Sequence, residues 1–220
     1  MSNTVEHATR PIWLSTYGLL TAERLLERLQ ITLSHVELLD ALNNPSNPYH
    51  HLLTVPIQNI SNGIVMKQVH EYQVYIQKLF IDYKLNSTNV NAEGGQPDPS
   101  SKNHEIDIKY NELVQLSELF DEKKHDHQQL IAKSQSWLIQ QTHESMLEIT
   151  PETSRQIETF GTQTESLRLS LLDLFQQFRD LIIQTTAVLS MMSDYKFDDE
   201  QAEKNKALLD FDPLFTEVES

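Results

Sequence analysis

Nine histidines and a surplus of carboxylates are the residues of this chain with the most chemistry to offer. His50 and His51 are adjacent, and His125 and His127 flank Asp126. Two side chains on one helix share a metal when they sit three or four residues apart, on one face. The spacing of two between His125 and His127 turns the rings to opposite sides, so both pairs read as parts of a solvated polar face. Asp198, Asp199 and Glu200 lie in an acidic tail, without the apolar pocket that moves a carboxyl pKa into a working range. No glycine-rich loop follows a strand, no Walker-type lysine is present, and no nucleophile elbow or Ser/His/Asp arrangement can be placed. The chain has no cysteine, which excludes disulfides and thiolate zinc sites and suits a reducing compartment. The expectation is a protein that is not an enzyme and carries no metal, cofactor or small-molecule substrate.

Composition narrows the partners. The formal net charge is −15 over 220 residues, and the 17 lysines and arginines are scattered. A polyanion without a local basic patch repels nucleic acid and anionic lipid, so neither is expected as a partner. A solvated acidic surface explains the charge; a basic partner protein is the sharper alternative. Met1 to Arg10 is polar, without the apolar core of a signal peptide, and no run of about 18 apolar residues could span a bilayer. The sequons at Asn59 and Asn86 then read as chance matches.

The elements that must hold these residues are helices. Ile157, Phe160, Thr164, Leu167, Leu171, Leu174, Phe178, Leu181, Thr185, Val188 and Met192 follow one another in alternating steps of 3 and 4. A period of 3.5 is a seam that one helix buries against another. Val65, Val69, Tyr72, Ile76 and Leu79 repeat the pattern. Both stripes are expected to bind partner helices, because helices this long in so small a chain would leave apolar ridge uncovered. One helix is expected from Pro11 to Leu42, stopped by Asn43 to Pro48, then an apolar connector from Tyr49 to Pro56, then a helix from Ile60 to Leu85. A third region spans Glu105 to Ile149, with a wholly polar stretch from Asp121 to Gln129 where it crosses solvent or breaks. The fourth, Glu152 to Ser193, has Gly161 as its weak point. The fold class is all-α: elongated helical hairpins with coiled-coil packing. The expected division is a flexible N-terminus (1–10), an N-terminal hairpin (11–85), a disordered linker (86–104), a C-terminal coiled-coil hairpin (105–193) and an acidic tail (194–220). Trp13 and Trp137 read as core or interface anchors.

In the tail, Leu208-Leu209-Asp210-Phe211-Asp212 matches the leucine-acidic box of clathrin-binding adaptors, with Leu208, Leu209 and Phe211 as its candidate contacts. Docking of these side chains onto the bundle is the simpler account.

Three stretches together resemble the dynactin subunit 3 family. They are the leucine-rich Ala22-Glu23-Arg24-Leu25-Leu26-Glu27-Arg28-Leu29, the connector Asn47-Pro48-Tyr49-His50-His51-Leu52-Leu53-Thr54-Val55-Pro56, and Leu113-Val114-Gln115-Leu116 with Gln128-Gln129 downstream. The resemblance implies a structural subunit of the dynactin shoulder, supporting dynein-driven microtubule transport. It implies pairing with dynamitin and with the largest dynactin subunit, and a cytoplasmic, cytoskeleton-associated location. A kinetochore or spindle coiled-coil subunit satisfies the same physics. A trafficking adaptor acting through the tail, and a bacterial secretion chaperone or effector, are readings of other classes.

Overall fold

The computed structural model describes residues 16–92, 101–142, 147–192 and 196–210. Among them are six helices and no strand: α1 (Thr16–Leu29), α2 (His35–Asn43), α3 (His50–Ala92), α4 (Ser101–Thr142), α5 (Pro151–Ser190) and α6 (Asp199–Asp210). The protein is all-α and built from helical hairpins. Trp13 and the first ten residues lie outside the described part.

Local chemistry explains the boundaries. The single helix expected from Pro11 to Leu42 is two helices. Gln30 sits in the left-handed region at φ 56°. Gln30 N–H donates to the Glu27 carbonyl at 3.1 Å and Ile31 N–H to the Leu26 carbonyl at 2.9 Å, a Schellman closure that ends α1. Ser34 then starts α2 with a capping box. Glu37 N–H donates to Ser34 Oγ, and Ser34 N–H donates to Glu37 Oε2 at 2.7 Å. The turn after α2 is tied by Asn47, whose Nδ2 donates to Asp40 Oδ2 at 2.8 Å while its Oδ1 accepts from Tyr49 N–H at 2.9 Å.

The apolar connector is also helical: α3 starts at His50 and carries Pro56 inside it. The expected linker is helical at both ends, because its glycines and prolines fall only at positions 94–99, within 93–100, which lie outside the described residues. The polar stretch Asp121 to Gln129 does not break the helix; it runs largely exposed to solvent, with His127 alone turned inward. Pro151 opens α5 at a position where no intrahelical donor is lost, and Thr150 Oγ1 accepts from Thr153 N–H at 3.2 Å.

The chain divides into two units, to each of which α3, α4 and α5 contribute. The first comprises residues up to Gly63 and from His125 to Leu169, and includes α1 and α2. Its core is aliphatic: Leu25, Leu26 and Leu29 of α1 and Leu38 and Leu42 of α2 meet Leu52, Leu53 and Ile57 of α3. Trp137 packs edge-on against Phe160 at 5.8 Å, which places it as a partly buried core anchor. The second unit comprises Ile64 to Lys124 and Ser170 to Phe211. Its core sets aromatic pairs among aliphatic residues such as Ile76, Leu79, Leu171 and Leu174, with Tyr72 against Phe175 at 5.2 Å, Phe80 against Tyr110 at 5.4 Å and Phe120 against Phe178 at 6.3 Å.

Candidate functional site: buried polar groups and the seat of α6

The seam residues come first. Val65, Val69, Tyr72, Ile76, Leu79, Ile157, Phe160, Leu167, Leu171, Leu174, Phe178, Leu181 and Val188 are all buried by this chain itself. The structure therefore places them in the core rather than on a face offered to a partner. Three mutually packed helices cover stripes that a single hairpin would leave open.

The histidines are not a uniform solvated face. His50 is buried, and its Nδ1–H donates to the Ala41 carbonyl at 2.9 Å. His51 packs on α5 over Gly161, where a Cβ would stand 2.5 Å from the imidazole Nδ1. Gly161 is thus a close-packing position, not a weak point in the helix. Burial and the neighbouring His50 hold the His51 pKa below the usual histidine value, against a smaller opposing pull from Glu158. His127 is buried on α4, and its Nε2–H donates to the Asn59 carbonyl of α3 at 3.1 Å. Burial lowers its pKa too, and the bond to Asn59 only partly offsets that. His125 remains exposed, in contact with Gln129. The spacing of two does point the rings of His125 and His127 to opposite sides, and one of those sides is the interior.

The same region of the first unit holds further buried polar groups. The Asn62 amide, Asn59 Oδ1 and Thr164 Oγ1 are buried with no hydrogen bond inside the chain. Nearby, Gln58 Nε2 donates to Glu165 Oε2 at 3.2 Å, and Glu165 also holds Arg168. None of this makes a metal site: among the described residues no three His, Asp or Glu side chains could share an ion. An open groove between α4 and α5, lined by Lys133, Ser136, Trp137, Gln140 and Gln156, offers no convergent acid–base set.

In the second unit α6 lies along α3. Tyr72 Oη donates to the Leu208 carbonyl at 2.6 Å and Tyr75 Oη to the Gln201 carbonyl at 3.3 Å. Asp198 caps α6, accepting from Gln201 N–H at 2.7 Å. Of the tail motif, Leu208 is buried, Leu209 is half-buried, and Phe211 lies outside the described residues. Sequence reasoning placed Tyr72 in a seam and missed that its hydroxyl meets a helix end. A tyrosine among aliphatic seam residues is the signal that could have suggested it.

The chain matches the DotZ family over residues 1–150 and 139–217. It belongs to the DotZ family. It is 37% identical over 155 residues to the type 4 apparatus protein DotZ of Legionella pneumophila, a match covering 70% of this chain. The chain spans about half the length of that curated relative, 49%. This match overturns the resemblance to dynactin subunit 3. With it fall dynamitin and the largest dynactin subunit as partners, dynein-driven microtubule transport, and the cytoplasmic, cytoskeleton-associated location. The kinetochore or spindle reading and the trafficking-adaptor reading fall as well. The physical reason is that heptad stripes and leucine-rich turns record how helices pack, and unrelated helical proteins share them. Among the described residues no helix is long and apolar enough to cross a membrane.

Proposed function

We propose that this chain is a non-enzymatic component of a type 4 apparatus, associating with other apparatus proteins. The family match carries this reading: it extends over both halves of the chain, and the Legionella relative is named as an apparatus protein. The buried histidines support it. His50 and His127 each have a ring nitrogen committed to a main-chain carbonyl, as structural imidazoles do. The proposed role is that of the half shared with the relative.

Affinity-tagged protein expressed from its own locus in its native host tests the reading. After mild cross-linking, other apparatus proteins should co-purify above the level from an untagged strain. Recovery of the chain with none of them enriched would overturn it.

A further inference from the structure

The inner seam of α3 is used up in the core, and a second stripe on the same helix stays outside. Lys67, Glu71, Val74, Lys78, Ile81 and Leu85 are all exposed and follow one another in alternating steps of 4 and 3. That spacing holds them on one face. Val74, Ile81 and Leu85 are 47%, 57% and 59% exposed, so the apolar members lie open to water. The side chains that α3 turns to its neighbours flank this face without covering it: Tyr75 and Asp82 reach α6 on one side, and Phe80 packs on Tyr110 of α4 on the other.

The charges along the stripe are ordered. Lys67, Glu71, Lys78 and Asp82 alternate in sign, and their separations of 4, 7 and 4 are symmetric about the Val74–Tyr75 bond. Within the helix, Lys67 with Glu71 and Lys78 with Asp82 stand four apart with lysine first, the weaker order for such a pair. Neither pair forms. Lys67, Glu71 and Lys78 make no ion pair among the described residues, and Asp82 accepts from Gln201 Nε2 at 3.2 Å.

A second α3, antiparallel to the first about a two-fold axis at Val74–Tyr75, meets each of these charges with its opposite. Glu71 comes opposite the other copy's Lys78, and Lys67 opposite its Asp82. A parallel copy would set like against like. Val74 stands beside its own mate at the axis, and the methylene stem of Lys67 covers Ile81 across the interface. Two chains of formal charge −15 repel over most of their surface; along this stripe the four ordered charges cancel.

We propose that the outer face of α3 is a two-fold docking surface for a second copy of this chain, the two helices antiparallel about Val74. This goes beyond the apparatus reading and does not rest on it.

Sedimentation velocity on the full-length chain tests it. Wild type should pass from monomer to dimer between about 1 and 100 µM. Glu71→Lys should weaken the dimer about tenfold or more, because each of the two symmetric sites then faces like charge. Glu71→Lys combined with Lys78→Glu should return the affinity to within about threefold of wild type. A wild-type chain that stays monomeric at about 100 µM overturns the proposal, whatever else binds the face. So does a dimer that Glu71→Lys leaves unchanged, or one that the double exchange fails to restore. Cross-linking decides without any charge variant. The chain has no cysteine, so Val74→Cys places a single thiol at the axis. Under mild oxidation it should give a disulfide-linked dimer about tenfold or more faster than Leu85→Cys, whose two copies lie far apart in this arrangement. Equal rates overturn the proposal.

Discussion

The two units draw on the same three long helices and fill their interiors with different chemistry. In the second, aromatic pairs stand among the aliphatic residues, Tyr72 tilted against Phe175 and Phe120 edge-on to Phe178, beside two buried unpartnered hydroxyls, Ser117 and Thr185. In the first, the aliphatic core gives way to amides, imidazoles and a hydroxyl at Asn59, Asn62, His127 and Thr164. Aromatic pairs add packing energy of about 0.5–1.5 kcal/mol beyond the area they bury. An unpartnered buried polar group costs about 1–3 kcal/mol. The difference teaches that one unbroken heptad stripe specifies helix-to-helix contact without specifying how strongly each stretch is held.

The comparison is broken most severely at Phe178, which is fully buried. Phe178→Ala should cost about 3–5 kcal/mol in urea unfolding, whereas Thr164→Ala, which removes an unpartnered hydroxyl, should cost about 1 kcal/mol or less. Equal costs would mean that the polar layer is as tightly held as the aromatic one.

Gly161→Ala comes next. The added methyl meets the His51 ring near its base as well as its edge, with Cγ at 2.9 Å, so the ring cannot swing clear cheaply. A loss of about 1–3 kcal/mol is expected, and His51→Ala should relieve most of it in a double-mutant cycle. Additive losses would show that the imidazole is not the obstacle.

Asn62→Leu sharpens the contrast in the opposite direction. Removing a buried amide with no partner should raise stability by about 1–3 kcal/mol. A destabilised variant would show that the amide has a role in the folded protein that an apolar side chain cannot fill.

The smallest effect is pH dependence. His51 and His127 both have folded-state pKa values depressed below 6.5, chiefly by burial. Below the unfolded value the unfolded chain binds more protons, so stability should fall as pH drops through and below about 6.5 and stay flat above it. In the His127→Gln variant the slope should shrink; an unchanged slope would assign the proton uptake elsewhere.

The helical stripes were legible because period is a property of residue order alone: the α5 seam could be read from Ile157 to Val188, and the burial of every apolar member follows it. The break at Gln30 was not read, because a glutamine in the left-handed region leaves no compositional mark. Ser34 with Glu37 was the available clue to a new helix start. Pro56 misled in the other direction, since a proline in an apolar run looks like a terminator and here lies inside α3. The buried histidines were hidden because spacing tells whether two rings share a face, not which face is interior. The α6 seat was hidden because it depends on hydroxyls more than a hundred residues away in sequence, from Tyr72 to Leu208. The family was beyond reach for a related reason. An acidic, cysteine-free helical chain suits a bacterial secretion protein and a dynactin subunit equally, and composition does not separate them.

The contact between His51 and Gly161 ties two positions that lie far apart in the chain. A larger residue at 161 demands a smaller one at 51, and a slimmer residue at 51 frees 161 to vary. In an alignment of DotZ-family chains the two columns should therefore change together, a mark of shared ancestry at this layer that any pairing of unrelated coiled coils would lack.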